Sequence, residues 1–341
     1  MREYMILYPL ELQLFATAGN TTTSNTSGND LSPEMKTFYS DVLIDNATPN
    51  LVHDQFGQKH PIPKNGGKTI EFRKYSPLAK ATTPLTEGVT PDGQALNVST
   101  VTATVSQYGG WIQLPDMLLL TAIDNNMVQA TELLGDQAGR TLDTVTREVL
   151  NGGTNVQYAD GAVNARANIA TTNKMTVKCI KMASRFLKTQ LAKPIDGYYV
   201  AIIHPDVAYD LTEDSEWKDW HKYTTPEEKF EGEIGKIDKV RFVETTEAKI
   251  FEGAGAYISG SSGPKVDVYS TLVLGANAYG VTEVTGGGLE HIVKQLGSAG
   301  SADPLNQRAS VGWKATRTAE RLVENYMVRI ETASSFNSGA N

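Results

Sequence analysis

The chain is poor in the residues that staple a fold, hold a metal or cross a membrane. Its 341 residues include one cysteine, Cys179, so no disulfide forms within the chain and no four-thiolate metal site can be built. Sparse cysteine fits a reducing compartment. No run of 18 apolar residues occurs, and no membrane-spanning helix is expected. Positive charge is in deficit: 31 Lys and Arg against 39 Asp and Glu give a net charge of −8. That balance excludes a basic nucleic-acid binder as a reading of the whole chain. The five histidines (His53, His60, His204, His221, His291) form no His-Glu-x-x-His pair, and no Gly-x-Ser-x-Gly elbow is present.

Enough apolar sequence remains for a sizeable core. Hydrophobic residues make up 40% and glycines number 30, so a globular protein of two to three structural units is expected. Near the N-terminus, Met5–Leu7 and Leu10–Phe15 followed by Ala16-Thr17-Ala18 imitate an export signal. Glu3, Pro9 and Glu11 interrupt it and Arg2 is its one base, so export is not expected. Residues 17–30 are a Thr/Asn/Ser/Gly tract with nothing to bury, which predicts a mobile arm, and 334–341 predict a shorter polar tail.

Between them the pattern separates strands from helices, which predicts an α+β fold. Ser32-Pro33-Glu34 starts a short helix with Met35, Phe38, Tyr39, Val42 and Leu43 on one face. Ile70 and Phe72 alternate with Glu71 and Arg73, and Val101, Ala103 and Val105 alternate with threonines. The stretch 61–112 is therefore predicted to be a long two-stranded hairpin, with a Pro/Gly-rich tip over 76–95 and a bulge near Ser99. A hairpin of that length is marginal alone and needs a covering partner, a neighbouring subunit being the simplest.

A long helix is predicted over 124–150, capped by Asp124. Met127, Ala130, Leu134, Ala138, Leu142, Val145 and Val149 form its inner stripe, while Asp143 lies off it; Gly135 and Gly139 point to close backbone contact. A second helix over 176–191 turns Val177, Ile180, Ala183, Leu187 and Leu191 inward, with Cys179 flanking the stripe in partial burial. The run Tyr198–Ile203 reads as a buried strand and Pro205–Leu211 as a short helix. Strands follow at 239–244 and 266–274, with a surface loop at 253–263. The alternating runs at Ala309–Ala315 and Tyr326–Ile330 predict an antiparallel pair joined near 320–325.

No motif with a chemical mechanism survives scrutiny. Gly67-Lys68-Thr69 ends like a phosphate loop, but Ile62 stands where its first glycine belongs and a strand follows instead of a helix. His204 and Asp206 offer an imidazole and a carboxylate to a divalent metal without visible further ligands. Capping of the next helix is the simpler role for that pair. Glu213, Asp214, Glu216 and Asp219, interleaved with Trp217 and Trp220, read as a solvated face. No catalytic, cofactor-binding or metal-ligating residue is assigned and no cofactor is expected.

Several separate runs resemble one family. They are Asn50-Leu51-Val52-His53-Asp54-Gln55-Phe56-Gly57-Gln58-Lys59, then Pro63-Lys64-Asn65-Gly66-Gly67-Lys68-Thr69-Ile70-Glu71-Phe72-Arg73. Ala81–Pro91, Ala130–Ala138, Asp303–Arg308 and Gly312-Trp313-Lys314 follow in the same order. Over about residues 31–332 the sequence resembles major capsid proteins of tailed bacteriophages, in the group named after coliphage N-four.

That resemblance implies the Hong-Kong-97-type capsid fold: an N-terminal arm with a short helix (1–60) and an extended hairpin, the E-loop (61–112). A peripheral domain with a spine helix (113–196), an axial domain (197–289) and returning peripheral strands with a tail (290–341) complete it. It also implies a non-enzymatic subunit that self-assembles into hexamers and pentamers of an icosahedral shell around double-stranded DNA. Portal, scaffolding and decoration proteins are further partners. Assembly is expected in the host bacterial cytoplasm, with no membrane contact and the virion as final location. Other readings are a different virion or secretion component, an encapsulin-like compartment, and a metal-dependent hydrolase built on His204 and Asp206.

Overall fold

The alternating and continuous apolar runs resolve into three sheets and a set of covering helices in the structure, a computed structural model. It describes residues 52–336, apart from 76–77, 122–125, 160, 162, 223–232, 261, 286–287 and 299–302. The N-terminal arm, the helix expected at 32–43 and the Asp124 cap lie outside the described residues.

In chain order the strands are β1 (Gln58–Lys59), β2 (Thr69–Tyr75), β3 (Val98–Thr104), β4 (Ser106–Pro115), β5 (Val156–Tyr158), β6 (Tyr199–Ile203) and β7 (Glu233–Ile237). They continue with β8 (Val240–Glu244), β9 (Ile250–Phe251), β10 (Val268–Leu274), β11 (Tyr279–Thr282), β12 (Glu290–Lys294), β13 (Arg308–Arg321) and β14 (Met327–Thr332). The helices are α1 (Asp116–Thr121), α2 (Asn126–Asn151), α3 (Val177–Thr189), α4 (Pro205–Glu213) and α5 (Ser215–Lys222).

A seven-stranded sheet runs β5-β14-β10-β6-β8-β7, with β9 on β10; a five-stranded sheet runs β1-β11-β13-β12, with β4 along the other side of β13; β2 and β3 pair with each other alone. The continuous run Tyr199–Ile203 is explained by burial on both faces. Ala201 and Ile203 meet α3, α4 and α5 through Ile180, Leu187, Leu211 and Trp217. Ile202 and Leu272 face the opposite way, onto Leu150 of α2 and Tyr279 of β11. Each such fully buried aliphatic side chain contributes about 1.5–3 kcal/mol relative to exposure.

Helix α2 joins the two large sheets. Leu134 and Ala138 pack on Val311, Trp313 and Ala315 of the five-stranded sheet, and Leu150 reaches the seven-stranded one. Its free C-terminal carbonyls are met by cations, as the helix dipole favours: Arg321 Nη1 donates to Val149 O at 2.6 Å, and Arg329 donates to Asn151 O.

Several expectations are corrected. Past Ala138 the covered face of α2 widens: Asp143, read as off the stripe, is 1% exposed and Thr146 is buried, while Leu142, Val145 and Val149 are half-buried. The reason is that segment 52–56 lies over the helix there and brings polar partners. A Cβ on Gly135 would meet nothing within 4 Å, so no close contact explains that glycine. No bulge occurs at Ser99; the β2–β3 register runs unbroken from Thr69↔Thr104 to Tyr75↔Val98, and Val98 simply faces solvent. Ala309–Ala315 and Tyr326–Ile330 are not partners: β13 pairs with β4, β11 and β12, whereas β14 pairs with β10 and β5 and is buried throughout. Leu191 follows the end of α3 with φ of 56° and is exposed rather than inward. The start of the polar tail is docked, since Ser334 is buried and Ser335 N donates to Asp210 Oδ2 at 2.8 Å.

Cys179 is fully buried on α3 rather than flanking its stripe, with Sγ 3.3 Å from Thr176 Oγ1. Cys179→Ser replaces a small apolar group with a hydroxyl that finds Thr176 as partner. It is expected to cost about 1 kcal/mol and to leave the fold intact, which urea unfolding checks. Denaturing electrophoresis of the purified protein with and without reductant is a second check; one band in both lanes is expected, and a reductant-sensitive dimer would show a thiol link between copies.

Candidate assembly surfaces

The feature that stands out from the body is the β2–β3 hairpin. Every described residue from Arg73 to Thr100 is exposed, and this stretch carries Tyr75, Leu78, Leu85, Val89, Leu96 and Val98, with Leu85 77% exposed. The polar bonds of the tip are local ones, such as Val89 N to Thr86 O and Gln94 Nε2 to Ala79 O. Apolar side chains spread along a solvent-exposed arm are an interaction surface by the usual physical criterion.

The arm's base is better held. Ile62 is buried and exchanges backbone bonds with Glu283 and Thr285; β1 pairs in parallel with β11 at Gly280 and Val281. Phe72 is 7% exposed and its ring lies on Gly280, where an added Cβ would stand 2.7 Å from Cε1. His60 meets the same ring edge-on at 5.8 Å. β3 gives way to β4 across the single residue Val105, so the last seven residues of 61–112 belong to the body sheet.

Upstream of the arm, segment 52–56 is fixed by buried polar groups. His53 N donates to Asp143 Oδ1 at 2.8 Å and its Nδ1 lies 2.7 Å from Oδ2. Asp54 accepts from Thr146 Oγ1 at 2.5 Å and pairs with Arg317, and Tyr279 donates its hydroxyl to His53 O. Burial pushes the Asp54 carboxyl above its ordinary value against the pull of Arg317 and Thr146, and burial likewise raises the Tyr279 phenol. These contacts fix segment 52–56 on the body. In the sequence, His53 and Asp54 show only as part of a family motif, because their partners lie 90 or more residues away.

On the five-stranded sheet's outer face, Trp111 is 68% exposed and sits beside Ile292 over Gly109, Gly110 and Gly312, lining a shallow groove of about 290 Å³. Trp111 and Gly312 are register partners, so the side chain missing at 312 leaves the indole uncovered.

The residues singled out for chemistry are used structurally. His204 caps α4, its Nδ1 accepting from Asp206 N at 3.2 Å, and burial holds the imidazole below its ordinary pKa. Asp206 Oδ2 accepts from Tyr269, whose hydroxyl also reaches Phe336 O at 2.8 Å, so this pair anchors the C-terminal segment. Gly67-Lys68-Thr69 is an exposed turn into β2, with Gly67 at φ of 89°. Asp214 caps two helices, accepting from Val177 N and Glu216 N at 3.0 Å, while Trp217 packs inward on Phe242. Among the described residues no group of three His, Cys, Asp or Glu side chains converges as a metal site would.

A family model described as phage capsid protein matches residues 120–296, more than half of the chain. No curated protein matches it. Among solved structures, the fold is similar to the capsid of Ralstonia phage GP4, with a TM-score of 0.66 and 16% identity over 82% of this chain and 88% of that one. The capsid of cyanophage P-SCSP1u gives 0.65 and 13% over 94% and 100%. The head of Helicobacter pylori bacteriophage KHP40 gives 0.60 and 12% over 94% and 99%. At these identities the likeness is one of fold.

Proposed function

The chain belongs to the phage capsid protein family, and from that premise we propose that it is the major head subunit, self-assembling into hexamers and pentamers of an icosahedral shell around double-stranded DNA. The observation that carries this reading is the arm. A seven-pair ladder leads into a tip whose apolar side chains, from Tyr75 to Val98, are exposed and covered by no described residue of the chain, which supports a neighbouring copy as their cover. A heterologous contact of that kind, one surface onto a different surface of the next copy, closes into rings when the rotation allows.

We read the architecture as Hong-Kong-97-type, in the coliphage N-four group. The E-loop is the stretch 61–112, its last seven residues running on into the body sheet, the peripheral domain with α2 as spine 113–196, the axial domain 197–289, and the returning peripheral strands and tail 290–341, after an N-terminal arm of 1–60. The subunit is structural and not an enzyme. Its net charge of −8 suits a shell that must not adhere to the genome it encloses. Portal, scaffolding and decoration proteins are its further partners, the host bacterial cytoplasm is where it assembles, and the virion is where it resides.

Electron microscopy of the purified, expressed chain tests this reading. Closed shells built of five- and six-fold capsomers are expected. Tubes, or a protein that stays monomeric at every concentration and ionic strength tried, would overturn it.

A further inference from the structure

The arm joins the body through two narrow connections. On one side Val105 alone separates β3 from β4, its N–H donating to Lys68 O at 2.8 Å. On the other side the turn through Asn65 (φ 67°) and Gly67 (φ 89°) leads into β2. Neither a one-residue joint nor a glycine turn fixes an angle by itself. Within the β2–β3 ladder the buried side chains are Phe72 and the small Ala103. Phe72 is thus the one large side chain of the ladder that is buried against the body, with Ile70 and Val101 half-buried beside it. Its ring rests on bare backbone: an added Cβ at Gly280 would stand 2.7 Å from Cε1, 2.8 Å from Cζ and 3.4 Å from Cδ1. Gly280 is held from both sides, paired with Gln58 of β1 and Glu320 of β13, so it is a fixed seat rather than a yielding one.

We propose that Phe72, seated on Gly280, is the positioning residue of the arm: it fixes the angle at which the hairpin leaves the body and so where the apolar tip meets the next copy. This rests on the reading of the chain as a shell subunit. The ladder rises about 3.3 Å per residue, and Phe72 is the fourth of its seven pairs from the base. An ångström of displacement at the ring therefore becomes about two at the ladder's end and more at the loop. Adding a methyl at the seat lifts the ring without touching the tip's own contacts. Shortening residue 72 to leucine removes the ring atoms nearest that methyl and lets the arm settle again.

The test measures the angle directly. In a Cys179→Ser background, spin labels on Gln94→Cys in the tip and Lys294→Cys on β12 report arm against body. Labelled chain is diluted with unlabelled chain so that distances within one copy dominate. The parent is expected to give one narrow distance distribution. Gly280→Ala is expected to shift or broaden it by several ångströms, as is Phe72→Ala, which removes the ring without adding an atom anywhere. Gly280→Ala with Phe72→Leu is expected to restore a narrow distribution and parental particle shape, with circular dichroism showing every variant folded at the temperature of the measurement. A parental distribution in Phe72→Ala, or no restoration in the double variant, overturns the proposal. A parent that shows the narrow distribution yet forms no shell overturns the shell reading instead, and the two failures are told apart.

Discussion

Deleting residues 78–94 is expected to leave a soluble, folded subunit that forms no closed shell. Every residue removed is exposed, and hydrogen bonds such as Val89 N to Thr86 O and Gln94 Nε2 to Ala79 O stay within the stretch, so the body loses no packing. The five residues left between Tyr75 and Val98 are enough to close a hairpin, and shortening a loop by this amount changes its closure entropy by well under about 2 kcal/mol. Melting of the subunit should therefore stay within a few degrees of the parent. What the deletion does remove is Leu78, Leu85 and Val89, exposed apolar groups that no described residue of the chain covers. At about 25 cal/mol per Å², burying three such side chains at each of many equivalent contacts decides whether a shell outlasts the entropy cost of association. Sedimentation and microscopy of the purified variant give the result. Shells at parental yield would show that the arm is not an assembly element, and an unfolded variant would show that the tip supports the body after all.

Local pattern alone makes the arm legible. Ile70 and Phe72 alternate with charges, threonines mark the return strand, and the prolines and glycines of 76–95 cannot build a regular tip. The long helix, the buried strand at 199–203 and the short helix after His204 are legible for the same reason: each is set by residues close in sequence.

What pattern does not supply is pairing between distant strands. The alternations at Ala309–Ala315 and Tyr326–Ile330 are adjacent in sequence, and adjacency argues for a hairpin. The 14-residue β13 instead spends both edges on β4, β11 and β12, so β14 crosses to the other sheet. Nor does a period-3.6 stripe reveal that charged residues are buried. Asp143 becomes interior only because His53, 90 residues earlier, brings a backbone N–H and an imidazole to it. The interface residues are legible as exposed apolar groups in a loop; the seat of Phe72 on Gly280 is not, since it joins residues about 200 apart.

Glu331→Ala is expected to cause the largest loss of subunit stability. β14 lies between β5 and β10, and Glu331 is 0% exposed. Arg166 donates to it twice, through Nε at 2.7 Å and Nη2 at 2.6 Å, and Arg329 Nε lies 2.8 Å from Oε1. The Arg166 guanidinium also stacks on Phe251 at 3.5 Å. Glu331 holds the Arg166 pKa above its ordinary value, while burial lowers that of Arg329. Removing the carboxylate therefore leaves two cations facing each other with no anion between them, one of them buried. Breaking one partner of a buried pair costs about 3–5 kcal/mol, a large part of the roughly 5–15 kcal/mol that holds a domain folded. Glu331→Gln keeps an acceptor oxygen and should fall between alanine and the parent. Glu213→Ala is the internal control, because its pair with Lys218 is half-exposed on both sides and such pairs contribute about 0–1 kcal/mol. Urea unfolding of the unassembled subunit, followed by circular dichroism, orders the three variants. If Glu331→Ala unfolds at the same urea concentration as Glu213→Ala, the buried carboxylate is not what holds β14, Arg166 and Arg329 together.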